Sequence, residues 1–380
     1  MDESLRLGDG APPACMLPDG ARSGAAKPAL GYLLDDRRVG DLAARVAREV
    51  ASPDLRVGRA VLFLTPLCNM ACGYCRSTRH PMPPWPEEEV LGLLDELADT
   101  RTRHVHWTGG EPTLHPGLLA LVRHSARRGL DNSLSTNGGA DPELYVALAR
   151  EGVSRFFFSL DALDPHRFDE ITRSRGRLPH VLRTFRTVCG LRDRGQPVHV
   201  TLNTVLTRAL VRDLMEKAGA RLQQFLAWLS RCGADDFKFL PTSTEPWAEI
   251  FPDPQTLARW FKICCRAVPE RFRMFHYRLG TLSSGGHGFR DLRRRQCFQC
   301  LDDRAYDSRG VYSCVVRLRE GCAPLYAHAD PTEVKRRKLR AFLSGDRSRD
   351  RICRRLCFDL YRDLNQRVEQ LLGIEPAGKA

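Results

Sequence analysis

At 380 residues, 42% of them hydrophobic, the chain can bury a sizeable core and is too long for one average domain. Charged residues make up 28%, and 30 glycines with 24 prolines are too few for a collagen-like or disordered chain. Net charge is +13 (59 basic against 46 acidic residues), and only seven of the basic residues are lysines. An anionic substrate or nucleic acid would suit that balance, but the basic stretches at 293–295 and 335–340 are short and lack interleaved aromatics. An arginine bias over solvated surface accounts for the charge, and a nucleic-acid partner is not expected. No apolar run nears the roughly 20 residues of a membrane helix. The N-terminus, MDESLRLGDG, has early acids and no apolar h-region. A cytoplasmic protein without a membrane partner is expected.

Residues 1–55 read as a leader, rich in Gly, Ala and Pro to residue 31, ending in a short amphipathic helix at 36–50. From residue 60 strand and helix signals alternate. Short apolar runs fall at 60–64, 104–107, 132–135, 155–160, 198–205 and 237–240. Patterns of 3.6-residue period lie between them at 87–98, 117–128, 142–150, 179–193 and 211–230. Six strands alternating with helices predict an α/β core with a parallel sheet, closed or partly closed, over 56–248. In such folds reactive groups gather at the C-terminal ends of the strands. The alternation stops near Ile250. Residues 249–288 read as a connecting segment, with GTLSSGGHG at 280–288 as its flexible part, and 289–372 as a cysteine-rich domain ending in helix at 351–372.

Fourteen cysteines is a high count, and without an export signal a disulfide framework is not expected. Cys15, Cys189 and Cys232 stand alone and read as small packing residues, as does the adjacent pair Cys264–Cys265. Cys68, Cys72 and Cys75 form C-x3-C-x2-C directly after the first strand. Three thiolates so spaced on a compact loop can converge on one face of a cubane iron–sulfur cluster and leave one iron open. Zinc is the alternative, although structural zinc sites close with four ligands and favour two separated pairs.

In context the chain resembles the radical S-adenosylmethionine (radical SAM) superfamily, whose hallmark is this spacing with an aromatic before the third cysteine, here Tyr74. Gly109-Gly110-Glu111-Pro112, Ser135-Thr136-Asn137-Gly138, Ser159-Leu160-Asp161 and Asn203-Thr204-Val205 follow at four successive strand ends, in the order of that family. The resemblance covers roughly residues 61–240. It implies a partial (β/α)6 TIM barrel. It also implies a [4Fe–4S] cluster on Cys68, Cys72 and Cys75 that holds SAM, with Tyr74, Gly109, Gly110, Glu111, Ser135, Ser159, Asp161 and Asn203 around the cofactor. Reductive cleavage of SAM to a 5′-deoxyadenosyl radical, fed by a donor such as flavodoxin or ferredoxin, is the implied chemistry.

Cys297-x2-Cys300-x13-Cys314 resembles the tail of the GTP 3′,8-cyclase family and, more loosely, the twitch and SPASM tails of radical SAM maturases. It implies at least one auxiliary iron–sulfur cluster, with a further ligand from Cys322, Cys353 or Cys357. A zinc ribbon through Cys297, Cys300, Cys353 and Cys357 is the alternative. The cyclase pattern fails in places: Cys300 is followed by Leu301-Asp302-Asp303-Arg304 where that family has phosphate-holding arginines, and His106 and Thr201 stand where it has an arginine and a lysine.

The reading that follows is a radical SAM enzyme acting on a small polar metabolite, by net oxidation or rearrangement. A maturase of a ribosomally made peptide, a cyclase-like enzyme and a zinc- or nucleic-acid-binding protein are the alternatives. No acid or base is assigned; His106, Lys238 and Arg304 are expected to face the reaction chamber.

Overall fold

The computed structural model describes residues 39–44, 58–76, 82–245, 247–283, 296–327, 350–357 and 359–373. Cys15, most of the leader and most of the 280–288 connection lie outside them.

Strands and helices alternate as predicted: β1 (Arg59–Phe63), α1 (Glu87–Asp99), β2 (His104–Thr108), α2 (Leu118–Arg127), β3 (Asp131–Thr136), α3 (Pro142–Arg150) and β4 (Val153–Ser159). After β4 come α4 (Pro165–Thr172), α5 (Leu178–Cys189), β5 (His199–Leu206), α6 (Arg208–Leu229) and β6 (Asp236–Pro241). Helix starts are written locally. Asp141 and Asp164 accept backbone N–H groups ahead of Pro142 and Pro165, and Thr207 does the same for α6. The long α6 is broken: Lys217, Ala218 and Gly219 take left-handed angles in succession.

Three helices, α7 (Trp247–Ile250), α8 (Pro254–Ala267) and α9 (Arg273–Ser283), occupy the stretch read as a connection. Cys264 is buried on α8, the packing role expected of it, whereas its neighbour Cys265 is disulfide-bonded, against the expectation for that pair. The tail holds α10 (Gln299–Asp302), β7 (Asp303–Asp307), β8 (Gly310–Tyr312), α11 (Val315–Arg319), α12 (Arg351–Leu356) and α13 (Asp359–Leu371).

One sheet runs in the order β6-β5-β4-β3-β2-β1-β7-β8, parallel throughout except for the β7–β8 hairpin. The tail hairpin is thus part of the core's sheet: β7 pairs with β1, Ala60 opposite Arg304 and Leu62 opposite Tyr306.

Alternation gives the sheet two faces. Ala60, Leu62, Val105, Trp107, Leu134, Phe156, Phe158, Val200, Leu202, Phe237 and Phe239 pack under the helices in the main core. The other face is apolar where the tail covers it: Val61, Phe63 and Ala305 pack with Tyr312, Val316, Leu318 and Tyr361. Elsewhere it presents His106, Ser133, Ser135, Ser159, Asn203 and Lys238. That polar inner wall is the chamber.

Candidate active site

The loop 64–75 leaves the C-terminal end of β1 and is fastened to the end of β2 by backbone bonds. Leu64 N donates to Thr108 O (3.0 Å), Gly110 N to Thr65 O (2.7 Å) and Glu111 N to Leu67 O (2.7 Å). The glycines are explained by that seam. Gly109 has φ +152°, and a Cβ there would stand 2.6 Å from Thr65 O; one on Gly110 would stand 2.6 Å from Pro66 O and closer still to Leu67 O. What a side chain at Gly110 would crowd is the cysteine loop's own backbone, so the close approach expected there joins two protein segments.

Glu111 is 1% exposed and its carboxylate is spoken for by the protein. Oε1 accepts from Thr113 N (3.2 Å), Thr113 Oγ1 (2.7 Å) and Thr136 Oγ1 (2.9 Å), while Oε2 accepts from Asn137 N (2.7 Å). It ties the end of β2 to the end of β3. Burial pushes its pKa up against those hydrogen bonds, which pull it down.

Cys68, Cys72 and Cys75 lie within electrostatic reach of one another. Burial raises the Cys68 thiol and carries that of Cys72 to about 12. Asn137 Nδ2 donates to Cys68 Sγ (3.6 Å) and to Asn69 Oδ1 (2.7 Å). Tyr74 donates from its hydroxyl to Asp161 Oδ2 (2.5 Å), and Asp161 Oδ1 accepts Val205 N (2.6 Å). One buried carboxyl thereby links the loop to β4 and β5, and burial raises its pKa to about 6. Among the described residues no three or more His, Cys, Asp or Glu are set at the geometry of a single bound ion.

Two features fit the cluster and cofactor. The donor set is three thiols on one loop with an amide donor to sulfur, as iron–sulfur sites use. Asn203, in register with Ser159 on the inner wall, has a buried side-chain oxygen with no hydrogen-bond partner. Such an acceptor lacks a donor that an ammonium or ribose hydroxyl supplies.

Below the loop a polar chain lines the wall. Ser133 Oγ bonds His104 Nε2 and His106 Nδ1 (both 2.7 Å), and His106 Nε2 bonds Ser135 Oγ (3.0 Å). Burial, then the nearby cations, hold the pKa of His106 well below its usual value, so the ring is neutral. Lys238 Nζ lies 4.8 Å from the centroid of the Phe157 ring, and His106 meets that ring edge-on at 5.6 Å.

Lys238 and His106 face the chamber as expected. Arg304 does not. It lies opposite Ala60 in the register, on the face of Leu62 and Tyr306 under the helices, because alternation along β7 turns it away. Two residues that the sequence reading passed over close the site instead. Arg76, directly after Cys75, forms an ion pair with Glu320 and donates to Ser243 O (3.3 Å), joining loop, tail and the end of β6. Arg319, beside Glu320, comes within electrostatic reach of Cys75 and His106. Arg76 had a sequence signal in its position; the tail pair had none.

In the tail Cys353 is within electrostatic reach of Cys297 and Cys314. Asn365 Nδ2 donates to Cys297 Sγ (3.5 Å). The Cys300 N–H bonds Cys297 O (3.1 Å), a tight turn that keeps the pair together. Cys357 is buried among apolar residues and Cys322 sits by Arg317. On the helix side of the sheet a cavity of about 620 Å³ opens between α4 and α6, reaching Asp161 at its rim.

A family model described as the radical SAM superfamily matches residues 62–217, which span β1 to the break in α6. This is a radical SAM domain. The family's [4Fe–4S] cluster and SAM are its cofactors. Among curated proteins the chain is 38% identical over 129 residues to GTP 3′,8-cyclase of Caulobacter vibrioides, covering 30% of this chain and 37% of that one. It is 33% identical over 162 residues to the cyclase of Marinobacter nauticus, covering 40% and 48%. The chain therefore spans between a third and a half of the length of these relatives.

Among solved structures, Streptococcus suis SuiB bound to precursor peptide SuiA matches with a TM-score of 0.57 and 14% identity, over 83% of this chain and 72% of that one. Native anSMEcpe with bound AdoMet and Cp18Cys peptide matches at 0.54 and 15%, over 83% and 96%. These likenesses show that the chain shares the fold of those proteins. Among the described residues no helix is long and apolar enough to cross a membrane.

Proposed function

We propose that the protein is a radical SAM enzyme that takes a hydrogen atom from a small polar metabolite in a net oxidation. The observation that carries this reading is the cysteine loop itself, sewn to the glycine pair at the chamber mouth with three thiols in mutual reach. When bound there, the cluster and SAM supply a one-electron cleavage that yields a 5′-deoxyadenosyl radical. The chain's part is to hold and orient. Cys68, Cys72 and Cys75 would ligate the cluster, the Asn203 oxygen would accept from SAM, and Tyr74 with Asp161 would keep the loop in register with β4 and β5. Arg76 and the tail would keep water from the mouth. A small substrate is supported by the named activity of the curated relatives, whose substrate GTP is a metabolite. The electron donor would be a flavodoxin or ferredoxin.

The auxiliary cluster belongs to the same reading. Cys297, Cys300 and Cys314 would bind it, and Cys353 is the fourth ligand favoured by its proximity to two of them. Four cysteines leave no iron open for substrate, which suits a site that accepts the electron left behind by an oxidation.

The test is anaerobic reconstitution. Wild type should form 5′-deoxyadenosine from SAM with dithionite, and the variant with Cys68, Cys72 and Cys75 all changed to Ala should form none. About four irons should remain in that variant and disappear when Cys297 and Cys353 are also removed. Continued 5′-deoxyadenosine formation by the triple variant would falsify the cluster assignment, and stoichiometric zinc in the tail would sink the auxiliary one.

A further inference from the structure

The end of β3 reaches back to the cysteine loop through one side chain. Asn137 follows β3 directly. Its Nδ2 donates to Cys68 Sγ (3.6 Å) and to Asn69 Oδ1 (2.7 Å), while its Oδ1 accepts the Gly139 N–H (2.8 Å). These bonds fix which way the amide points. Turned over, it would set a donor against the Gly139 N–H and an oxygen against the sulfur. Both amide hydrogens are therefore committed, one of them to sulfur. Gly139 leaves the space that the two amides fill, since a Cβ there would stand 2.7 Å from Asn69 Nδ2 and 2.9 Å from Asn137 Oδ1.

The backbone behind this amide is fixed as well. Asn137 N donates to Glu111 Oε2 (2.7 Å), and the same carboxylate is held by Thr113 and Thr136. Glu111 thus acts on the loop thiol at one remove. Cys68 Sγ takes a second N–H, from Met70 in its own loop (3.4 Å). The tail repeats the arrangement: Asn365 Oδ1 accepts the Phe298 N–H (2.6 Å), and Asn365 Nδ2 donates to Cys297 Sγ (3.5 Å). At both places an asparagine from a separate element is pinned by a backbone N–H and gives an amide hydrogen to a cysteine sulfur.

We infer that Asn137 is a positioning residue that sets the reduction potential of the loop cluster, by holding an amide N–H on the sulfur of Cys68, with Glu111 fixing Asn137 in place. The inference rests on the radical SAM reading for Cys68, Cys72 and Cys75 as ligands, and adds how the chain governs the ease of reduction. A cluster on three thiolates gains negative charge when it is reduced. An N–H aimed at a ligand sulfur therefore stabilises the reduced state more than the oxidised one and raises the potential. That eases delivery of the electron that SAM cleavage requires.

The readout is the midpoint potential of the loop cluster, titrated in the anaerobically reconstituted protein and followed by electron paramagnetic resonance. The change of signal on adding SAM marks this cluster. Asn137→Ser keeps an acceptor for the Gly139 N–H, as serine turns do, and is too short to reach Cys68. It should load iron as wild type does. The ratio of reduced to oxidised cluster at a fixed potential should fall about tenfold, a shift of roughly 59 mV for one electron. Asn137→Asp sets an acceptor against the sulfur and should lower the midpoint further. Thr113→Val loosens Glu111 but leaves the sulfur bond, and should keep the wild-type midpoint. A ratio within about twofold of wild type in Asn137→Ser, loss of the cluster from both Asn137 variants, or an equal fall in Thr113→Val would overturn the inference. Any of these beside a triple cysteine variant empty of the loop cluster leaves the radical SAM reading standing. A loop cluster retained without Cys68, Cys72 and Cys75 fells both.

Discussion

Gly110 has no room for a methyl group, because the carbonyls of Pro66 and Leu67 stand where it would go. Gly110→Ala should therefore displace the cysteine loop. Expected are a loss of stability of roughly 1–3 kcal/mol, the scale of overpacking, and iron content below wild type. Unaltered iron and melting temperature would show that the seam yields. Asp161 permits a sharper test. Burial raises its carboxyl from 3.8 to about 6, so the folded state binds the proton more tightly than the unfolded. Its contribution is fully present below pH 3.8, is lost as pH rises through about 6, and does not alter above that. At about 1.36 kcal/mol per unit the whole swing is at most about 3 kcal/mol. Asp161→Asn keeps a partner for Tyr74 and removes the titration. The stability of wild type relative to this variant should thus fall between pH 4 and 7, as read by urea unfolding at each pH; a flat difference would refute the raised pKa.

Elements obeyed their local signals closely where the period was unambiguous. The six predicted strands and the five predicted helices of the core sit within a few residues of their expected bounds, since amphipathic pattern, caps and prolines agreed, while α4 was not expected. The tail hairpin turns at Ser308–Arg309, directly before Gly310, serine and glycine being residues that favour a tight turn. Four things were not legible. Nothing periodic announced that β7 would pair with β1, because pairing partners are a long-range choice. The facing of Arg304 depended on that unseen register. The role of Glu111 depended on four donors, two from Thr113 in its own loop and two from the end of β3. The break in α6 was likewise hidden, since residues 211–230 keep a helical pattern across it. Ala218 there has φ +58°, a cost of about 1–2 kcal/mol for a residue with a Cβ. Ala218→Gly should raise stability by roughly 0.5–1 kcal/mol, the released strain being partly offset by greater freedom in the unfolded chain. Destabilisation on thermal melting would mean the helix runs through.

Across the molecule the tail and the core share one sheet and one apolar cluster. Val61 and Phe63 are covered by Val316, Leu318 and Tyr361, and the Arg76–Glu320 pair binds the same two parts at the chamber mouth. Thermal unfolding should accordingly be a single transition, with iron–sulfur absorbance and far-ultraviolet dichroism lost together. Two separated transitions would mark the tail as an independent domain.

The sheet order has a consequence for biosynthesis. β1 is made first and its outer neighbour, β7, about 240 residues later, as the register pairs Arg59 with Asp303. Until the ribosome has released the tail, β1 has an unpaired edge and uncovered Val61 and Phe63, with the cysteine loop directly attached. Such late, distant pairing is slow and leaves nascent chains prone to aggregate. An apolar patch beside an open strand edge is the kind of surface on which nascent chains associate, so the tail closes an exposure that lasts for most of synthesis.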